Sequence, residues 1–315
     1  MSIHKTVLLE EAVKGLNLKK GLVVVDATLG GGGHSLRILE KILPGGKLIS
    51  IDRDENAIKG FRNKIDELNL KIEPQELILI NDNFSNIGEA LDELGIEKVD
   101  AILADFGLSS DQLDSNERGF SFQSDSKLDM RMDQKQALDA YQVINEYSFE
   151  ELERIIRIFG DEKFSKKIAR EIESRREKAP IETTKELVEI VEKAIPNSQK
   201  KRGINPATKT FQAIRMEVNQ EIESIEKFLQ ESINRLNSEG RLSVISFHSG
   251  EDRVVKNIFK ESANDCICPK EFPVCVCDKK AEIEIITKKP IVPSDVEIEE
   301  NPRSRSAKLR IVQKK

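Results

Sequence analysis

The sequence predicts an α/β fold in which one mainly parallel sheet is interrupted by an all-helical insertion. Over the first hundred or so residues, short apolar runs alternate with amphipathic stretches of helical period. That alternation is typical of βαβ units, in which helices cover both faces of a parallel sheet. From residue 111 to residue 208 only helical periodicity is present, and strand patterns return afterwards.

Four apolar runs, each followed by Asp or Asn, predict the first four strands at residues 22–25, 48–51, 77–80 and 101–104. Amphipathic helices are predicted between them at residues 35–43 and 55–68. The insertion is expected to hold helices at 149–159, 162–178 and 183–195, the last with a capping box between Thr183 and Glu186. After a helix over 211–236, strands at 241–247, 282–287 and 307–312 complete a seven-stranded sheet.

We therefore expect residues 1–110 to form the first part of the core and 111–208 an inserted helical, substrate-binding domain. Residues 209–315 are expected to form the second part of the core and to end in a basic C-terminal tail.

The 315-residue chain has a net charge of −6, which argues against a wholly basic nucleic-acid binder but allows local basic patches. No apolar run is long enough for a membrane span, and the first residues lack a signal-peptide pattern. Four Cys do not make a secreted disulfide scaffold. We therefore expect a soluble cytoplasmic protein.

The most specific motif is DATLGGGGH at residues 26–34, directly after the first predicted strand and before a helix. Consecutive glycines allow a tight turn and a close approach to a ligand, although a flexible turn is the simpler alternative. A P-loop would need Gly-Lys followed by Ser or Thr. The dinucleotide fingerprint would need a third glycine where Ser35 or Leu36 stands. The loop is therefore led by an acid, Asp26, and is not built for a pyrophosphate.

Two further residues point to adenosine. Asp52 ends the second strand, where an acid can accept hydrogen bonds from ribose hydroxyls. Phe84 follows the third strand, where an aromatic ring can pack on adenine. Adenosine without a diphosphate fits S-adenosyl-L-methionine, which is the predicted cofactor.

The chain also resembles the bacterial 16S rRNA (cytosine-N4)-methyltransferases over nearly its whole length. Besides the glycine loop, the resemblance rests on strings such as HKTVLLEEAV from His4, LADFGLSSDQLD from Leu103, NPATKTFQAIRMEVNQEI from Asn205 and NPRSRSAKLRI from Asn301. It implies a class I S-adenosylmethionine-dependent methyltransferase core, Rossmann-like, with an inserted helical domain. The chain departs from the family pattern at Gly250, where Leu is usual, and at Ala104.

Carried over position by position, the resemblance implies a cofactor site of Gly32, Gly33, His34, Asp52, Phe84, Asp105 and Gln112. Asp105 is also the candidate catalytic residue, contacting the methionine end of the cofactor or the acceptor amine beside an apolar wall at Phe106. The alternative is a strand-end acid that caps the next turn. Methylation at carbon 5 of cytosine is disfavoured, because it would need a nucleophilic Cys beside the site.

All four cysteines lie in one segment, Cys266, Cys268, Cys275 and Cys277, with the spacing C-x-C-x6-C-x-C. Four thiolates could close a tetrahedral zinc site, but the usual C-x-x-C knuckle is absent. A reduced loop is the alternative, and no metal ligand is assigned. His248, at the end of the fifth strand, could be a general base or a structural residue, and His4 is expected to be structural or peripheral.

Three basic tracts stand out in this acidic chain, at residues 162–178, 194–216 and 301–315, and the last two contain no acid. Such tracts suit phosphate contacts, although each alone is usually a solvated face. The candidate RNA-binding residues are Lys201, Arg202, Lys209, Arg303 and Arg305.

The resemblance implies that the protein methylates N4 of a decoding-centre cytidine in 16S rRNA, within the 30S subunit, with neither DNA nor a membrane as partner. An RNA-binding small-subunit assembly factor that uses the cofactor only as a ligand is the alternative. A nicotinamide dehydrogenase is a third hypothesis.

Overall fold

The computed structural model describes residues 6–107, 119–121, 125–134, 136–200, 205–266, 268 and 277–315. The chain divides into two compact units, residues 1–107 with 223–315 and residues 108–222. The first unit contains the sheet. In its described part the second unit is helical, apart from an isolated bridge between Lys127 and Thr183.

Seven strands form one sheet in the order β3-β2-β1-β4-β5-β7-β6. They are β1 (Val23–Asp26), β2 (Lys47–Asp52), β3 (Leu77–Asn81), β4 (Val99–Asp105), β5 (Leu236–Ser246), β6 (Ile283–Ile285) and β7 (Lys308–Lys314). The first five are parallel, and β7 runs antiparallel to both of its neighbours. This is the class I methyltransferase sheet, so the predicted fold class is confirmed. The order reverses at β1 and β4, and open α/β sheets bind ligands at the carboxyl ends of such strands.

The described helices, in chain order, are α1 (Leu9–Gly15), α2 (Gly33–Ile42), α3 (Glu55–Glu67), α4 (Ile87–Glu93), α5 (Ala140–Glu146), α6 (Phe149–Ile158), α7 (Ser165–Arg176), α8 (Thr184–Ala194), α9 (Thr208–Val218), α10 (Glu221–Arg235), α11 (Ser249–Ser262) and α12 (Asp295–Glu300). None of these is long and apolar enough to cross a membrane.

Successive strand residues point to opposite faces of the sheet, and both faces are covered. Val24 is fully buried in a cluster that includes residues of α1, α2 and α3. Its neighbour Val25 is fully buried in a second cluster, which includes residues of α4, α10 and α11. This two-sided burial explains why the strands are continuous apolar runs.

The helical unit has a core of its own, formed by apolar residues such as Ile155, Ile172 and Phe211. The predicted capping box at the start of α8 is present: the Thr183 side chain accepts from the Glu186 amide, and the Glu186 side chain accepts from the Thr183 amide. Capping boxes led by Asp139 and Ser148 likewise begin α5 and α6.

The expected helix over residues 211–236 is two helices, α9 and α10, separated at Asn219 and Gln220. Gln220 has a φ of 47°, which ends the helical geometry. The Asn219 side chain is held between the amide of Met132 and the carbonyl of Met130. Because α9 buries its apolar side in the helical core, the helical unit extends to residue 222 rather than to the expected 208.

The basic C-terminal segment contains the strand expected there: β7 lies between β5 and β6. Leu309, Ile311 and Val312 are buried, so this segment carries sheet core as well as charge. Arg303 and Arg305 lie on a short 3-10 helix, Pro302–Ser306, because Pro302 fixes a helical φ at its start.

Candidate active site

The glycine loop after β1 adopts backbone angles that favour glycine. Gly30 and Gly32 have φ values of 48° and 73°. A Cβ at Gly32 would lie 2.1 Å from a ring carbon of Phe61, so a side chain would be strained there and would also clash. The loop therefore passes tightly over α3 into the first turn of α2, where Gly33 and His34 stand.

Asp52, at the carboxyl end of β2, holds this loop in place by a hydrogen bond. Its Oδ2 accepts a 2.8 Å hydrogen bond from the Gly30 amide, and its Oδ1 accepts another of 2.8 Å from the Asp54 amide. Burial raises the pKa of Asp52, and the two amide hydrogen bonds act in the opposite direction. A carboxylate can accept about four hydrogen bonds, so lone pairs remain for ribose hydroxyls.

Asp26, at the end of β1, is fully buried beneath the loop. Its Oδ2 accepts a 2.6 Å hydrogen bond from Ser35 Oγ, which also lies 2.8 Å from Ser50 Oγ. Burial raises the pKa of Asp26 to about 7. In the sequence, Asp26 is recognisable only as the acid that begins the glycine loop. Its position directly after an apolar strand was the signal that it belongs to the site.

Asp105, at the end of β4, lies at the same edge of the sheet as Asp26 and Asp52. Its amide donates a 2.6 Å hydrogen bond to Thr28 Oγ1, and its Oδ2 lies 3.9 Å from His34 Nδ1. Its Oδ1 is buried and accepts no hydrogen bond from the residues that the structure describes. Burial, and then the negative charges of Asp26 and Glu251, raise the pKa of Asp105 well above its usual range.

These carboxylates make the pocket suitable for a cationic ligand. Within the described part of the chain, no Lys or Arg forms an ion pair with Asp105, and 22% of its side chain remains exposed. A sulfonium or an ammonium group would neutralise the repulsion among these acids. The residues present therefore fit the cationic end of S-adenosyl-L-methionine.

Phe84 stands on a short 3-10 helix, Phe84–Asn86, after β3. Its ring centroid lies 5.3 Å from that of Phe106 and 5.5 Å from that of Phe228. Phe106 is only 2% exposed, whereas Phe84 is half-buried. The rings of Phe106 and Phe228 thus pack against Phe84, and the exposed part of the Phe84 ring is available for an adenine.

His248 is the N-cap of α11. Its Nδ1 accepts a hydrogen bond from the Glu251 amide, and the buried Glu251 carboxylate accepts from the amides of Phe247 and His248. Of the two readings left open by the sequence, this geometry supports the structural one. Gly250 lies in the first turn of the same helix, and Ala104 is fully buried in β4.

The structure brings together Gly32, Gly33, His34, Asp52 and Asp105 at the carboxyl edge of β1, β2 and β4, and it places Phe84 after β3. Gln112, Lys201, Arg202, Cys275 and His4 lie outside the described residues. Lys209, Arg303 and Arg305 are exposed. Arg215, in the same tract as Lys209, pairs with Glu221 at 2.8 Å and is largely buried.

Comparison with known proteins shows the family of this chain. The profile of the MraW methylase family matches residues 1–315. The chain belongs to this family. The methylase is therefore an enzyme that transfers a methyl group, which removes the nicotinamide dehydrogenase hypothesis.

Similar proteins that carry the name Ribosomal RNA small subunit methyltransferase H include three from different genera. Proteins from Clostridium botulinum (strain Kyoto / Type A2) and Caldicellulosiruptor saccharolyticus are each 53% identical to it over 311 residues. That from Brevibacillus brevis is 47% identical over 311 residues. Each match covers 99% of this chain and at least 98% of the relative.

Proposed function

We propose that this methylase transfers a methyl group from S-adenosyl-L-methionine to N4 of a cytidine in the decoding centre of 16S rRNA. The observation that carries the proposal is the Asp105 carboxylate, which ends β4 with one buried oxygen that accepts nothing from the described residues. The names of the full-length relatives support ribosomal RNA of the small subunit as the substrate.

The cofactor is held by residues from three strand ends and the loop between β1 and α2. Asp52 accepts from the ribose while it holds Gly30, and Phe84 packs on the adenine. Gly32, Gly33 and His34 line the ribose and methionine side. When bound, S-adenosyl-L-methionine supplies a methyl group that is activated by its positively charged sulfur.

Asp105 acts where the cofactor and the base meet. The exocyclic amine of cytosine is a poor nucleophile because its lone pair is delocalised into the ring. A carboxylate that accepts a hydrogen bond from the amine raises its nucleophilicity, and alignment supplies much of the remaining acceleration. The raised pKa of Asp105 also suits it to take the proton that the amine loses. The buried Phe106 provides an apolar wall beside it.

The RNA is held through its phosphates. Lys209, Arg303 and Arg305 are exposed, and with Lys201 and Arg202 they form the proposed phosphate contacts. The target cytosine has to leave its stack to reach Asp105, as in other enzymes that act on a nucleobase. The proposed partner is 16S rRNA within the 30S subunit, and the proposed location is the cytoplasm.

The test offers cofactor with a labelled methyl group to 30S subunits that lack the modification and to free 16S rRNA. The labelled nucleotide is then mapped. We expect label on N4 of one cytidine. Label on carbon 5 of cytosine, or on a protein, would overturn the proposed reaction.

Asp105→Ala distinguishes the enzyme from an assembly factor that uses the cofactor only as a ligand. We expect methyl transfer to be lost while rRNA binding is retained. Unchanged transfer would remove Asp105 from the proposed role. Retained rRNA binding with no methyl transfer by the unaltered protein would favour the assembly factor.

A further inference from the structure

Three cysteine thiols come together between α11 and β6. The Sγ atoms of Cys266, Cys268 and Cys277 all lie within 4.8 Å of one another, and all three side chains are half-buried. The site described above uses none of them. Cys266 and Cys268 follow α11, whereas Cys277 precedes β6, so two separate stretches of the chain meet here.

The distance between two of these sulfur atoms matches that in a metal site. The Sγ atoms of Cys266 and Cys277 are 3.8 Å apart. Sulfurs bound tetrahedrally to zinc, each about 2.3 Å from the ion, are about 3.8 Å from one another. Small shifts of the Cys268 thiol would bring all three Sγ atoms to the spacing that zinc requires.

The backbone around Cys266 favours a thiolate. The Cys268 amide lies 3.3 Å from Cys266 Sγ and donates a hydrogen bond to it. Amide donors to sulfur stabilise the negative charge of metal-bound thiolates and orient them. The C-x-C spacing thereby supplies a hydrogen-bond donor to the first thiol of the pair.

The cluster is anchored to the sheet. The Glu282 amide donates a 2.9 Å hydrogen bond to the Ser262 carbonyl, which joins the end of α11 to the residue before β6. Cys266 and Cys277 lie just beyond this junction on either side of it. A metal ion there would tie the end of α11 to the segment before β6, which is the usual task of a structural zinc site.

We propose that Cys266, Cys268 and Cys277 bind one Zn²⁺ ion at a structural site separate from methyl transfer. Zinc is the ion of choice because three thiolates within 4.8 Å of one another suit a borderline-soft, redox-inactive cation. The fourth position is left to a water molecule or another ligand.

The test uses the full-length, reduced protein, loaded with Zn²⁺ and then desalted. We expect one zinc per chain by elemental analysis. With Co²⁺ in place of zinc, we expect thiolate-to-cobalt charge-transfer absorption. Cys266→Ser and Cys277→Ser should each weaken Zn²⁺ binding at least tenfold in competition with a chromophoric chelator. Asp265→Asn is the matched control, because it removes a neighbouring exposed acid and should leave zinc binding unchanged.

A measurement on the unaltered chain covers the case in which a Cys variant does not fold. Zn²⁺ should protect at least three of the four thiols from an aromatic disulfide reagent, and a chelator should restore their reactivity. Equal thiol reactivity with and without Zn²⁺ would overturn the proposal. So would equal zinc retention by a folded double variant, Cys266→Ser with Cys277→Ser.

Discussion

The Gly30 amide donates a 2.8 Å hydrogen bond to Oδ2 of Asp52, and this contact joins the loop after β1 to the end of β2. One carboxylate thus orders the glycine loop and is also the acceptor proposed for the ribose. A residue with both tasks links the order of the loop to cofactor affinity.

Asp52→Ala should weaken S-adenosyl-L-methionine binding about a hundredfold, because hydrogen bonds to a charged group are worth about 1.5 to 3 kcal/mol each. Isothermal calorimetry measures the change. Asp54→Ala is the matched control: it removes the side chain that caps α3 and should cost about 1 kcal/mol of stability. Equal losses of affinity in the two variants would show that Asp52 does not contact the cofactor.

Asp26 should make the free enzyme less stable as pH rises. Its pKa is 3.8 in an unstructured chain and about 7 in the fold, so its contribution is complete below pH 4 and is lost as pH rises to about 7. Asp26→Asn is neutral throughout and should lack this component. Between pH 5 and 6, the unfolding free energy of the wild type should fall by about 1.4 kcal/mol per pH unit more than that of the variant.

Urea titrations at several pH values measure this difference. Asp105 is present in both proteins, so its own titration largely cancels in the comparison. Parallel curves for the two proteins would contradict a raised pKa at Asp26.

Phe84→Leu should weaken cofactor binding about tenfold, because leucine keeps the apolar contact but lacks a ring face for adenine. Phe228→Leu is the matched control from the same aromatic cluster. Phe228 is fully buried, so its replacement should lower stability by about 1 kcal/mol. Because leucine still packs behind the Phe84 ring, affinity should change much less than in Phe84→Leu. If cofactor affinity fell in proportion to stability in both variants, the result would argue against adenine packing on Phe84.

Replacing Arg303 and Arg305 together by Gln should weaken rRNA binding and lower the slope of log K against log salt by about 2. Filter binding at several salt concentrations gives that slope. The contrasting variant is Arg310→Gln. Arg310 pairs with Asp252 at 2.7 Å and is 12% exposed, so this change should cost about 2 kcal/mol of stability and leave the slope unchanged. A slope unaffected by the double change would remove both arginines from the interface.

The strands and the cofactor-binding edge were predictable because they depend on local patterns. Asp26, Asp52 and Asp105 each follow a buried apolar run, and the carboxyl ends of parallel strands meet at one edge. Phe84 could be placed by the same rule. Partners distant in sequence could not be predicted in this way, such as Glu251, which adds to the negative charge around Asp105.

Charge counts were a weaker guide, because they do not distinguish a paired cation from an exposed one. Lys308 and Arg310 counted toward a basic tail, yet both pair with Asp252. Burial raises the pKa of Asp252, but these hydrogen bonds outweigh it and hold the pKa below its usual value. The break at Gln220 was also missed, because the apolar pattern continues through a residue whose φ is positive.

The pairing of β4 with β5 places a strong demand on folding. These strands are hydrogen-bonded neighbours at the centre of the sheet, although the entire helical unit is inserted between them. Closing so long a stretch of flexible chain is slow, and a folded insertion shortens the part that must be closed. Damage to the core of the helical unit should therefore reduce the yield of active enzyme during synthesis, even where the turnover of each correctly folded molecule is unchanged.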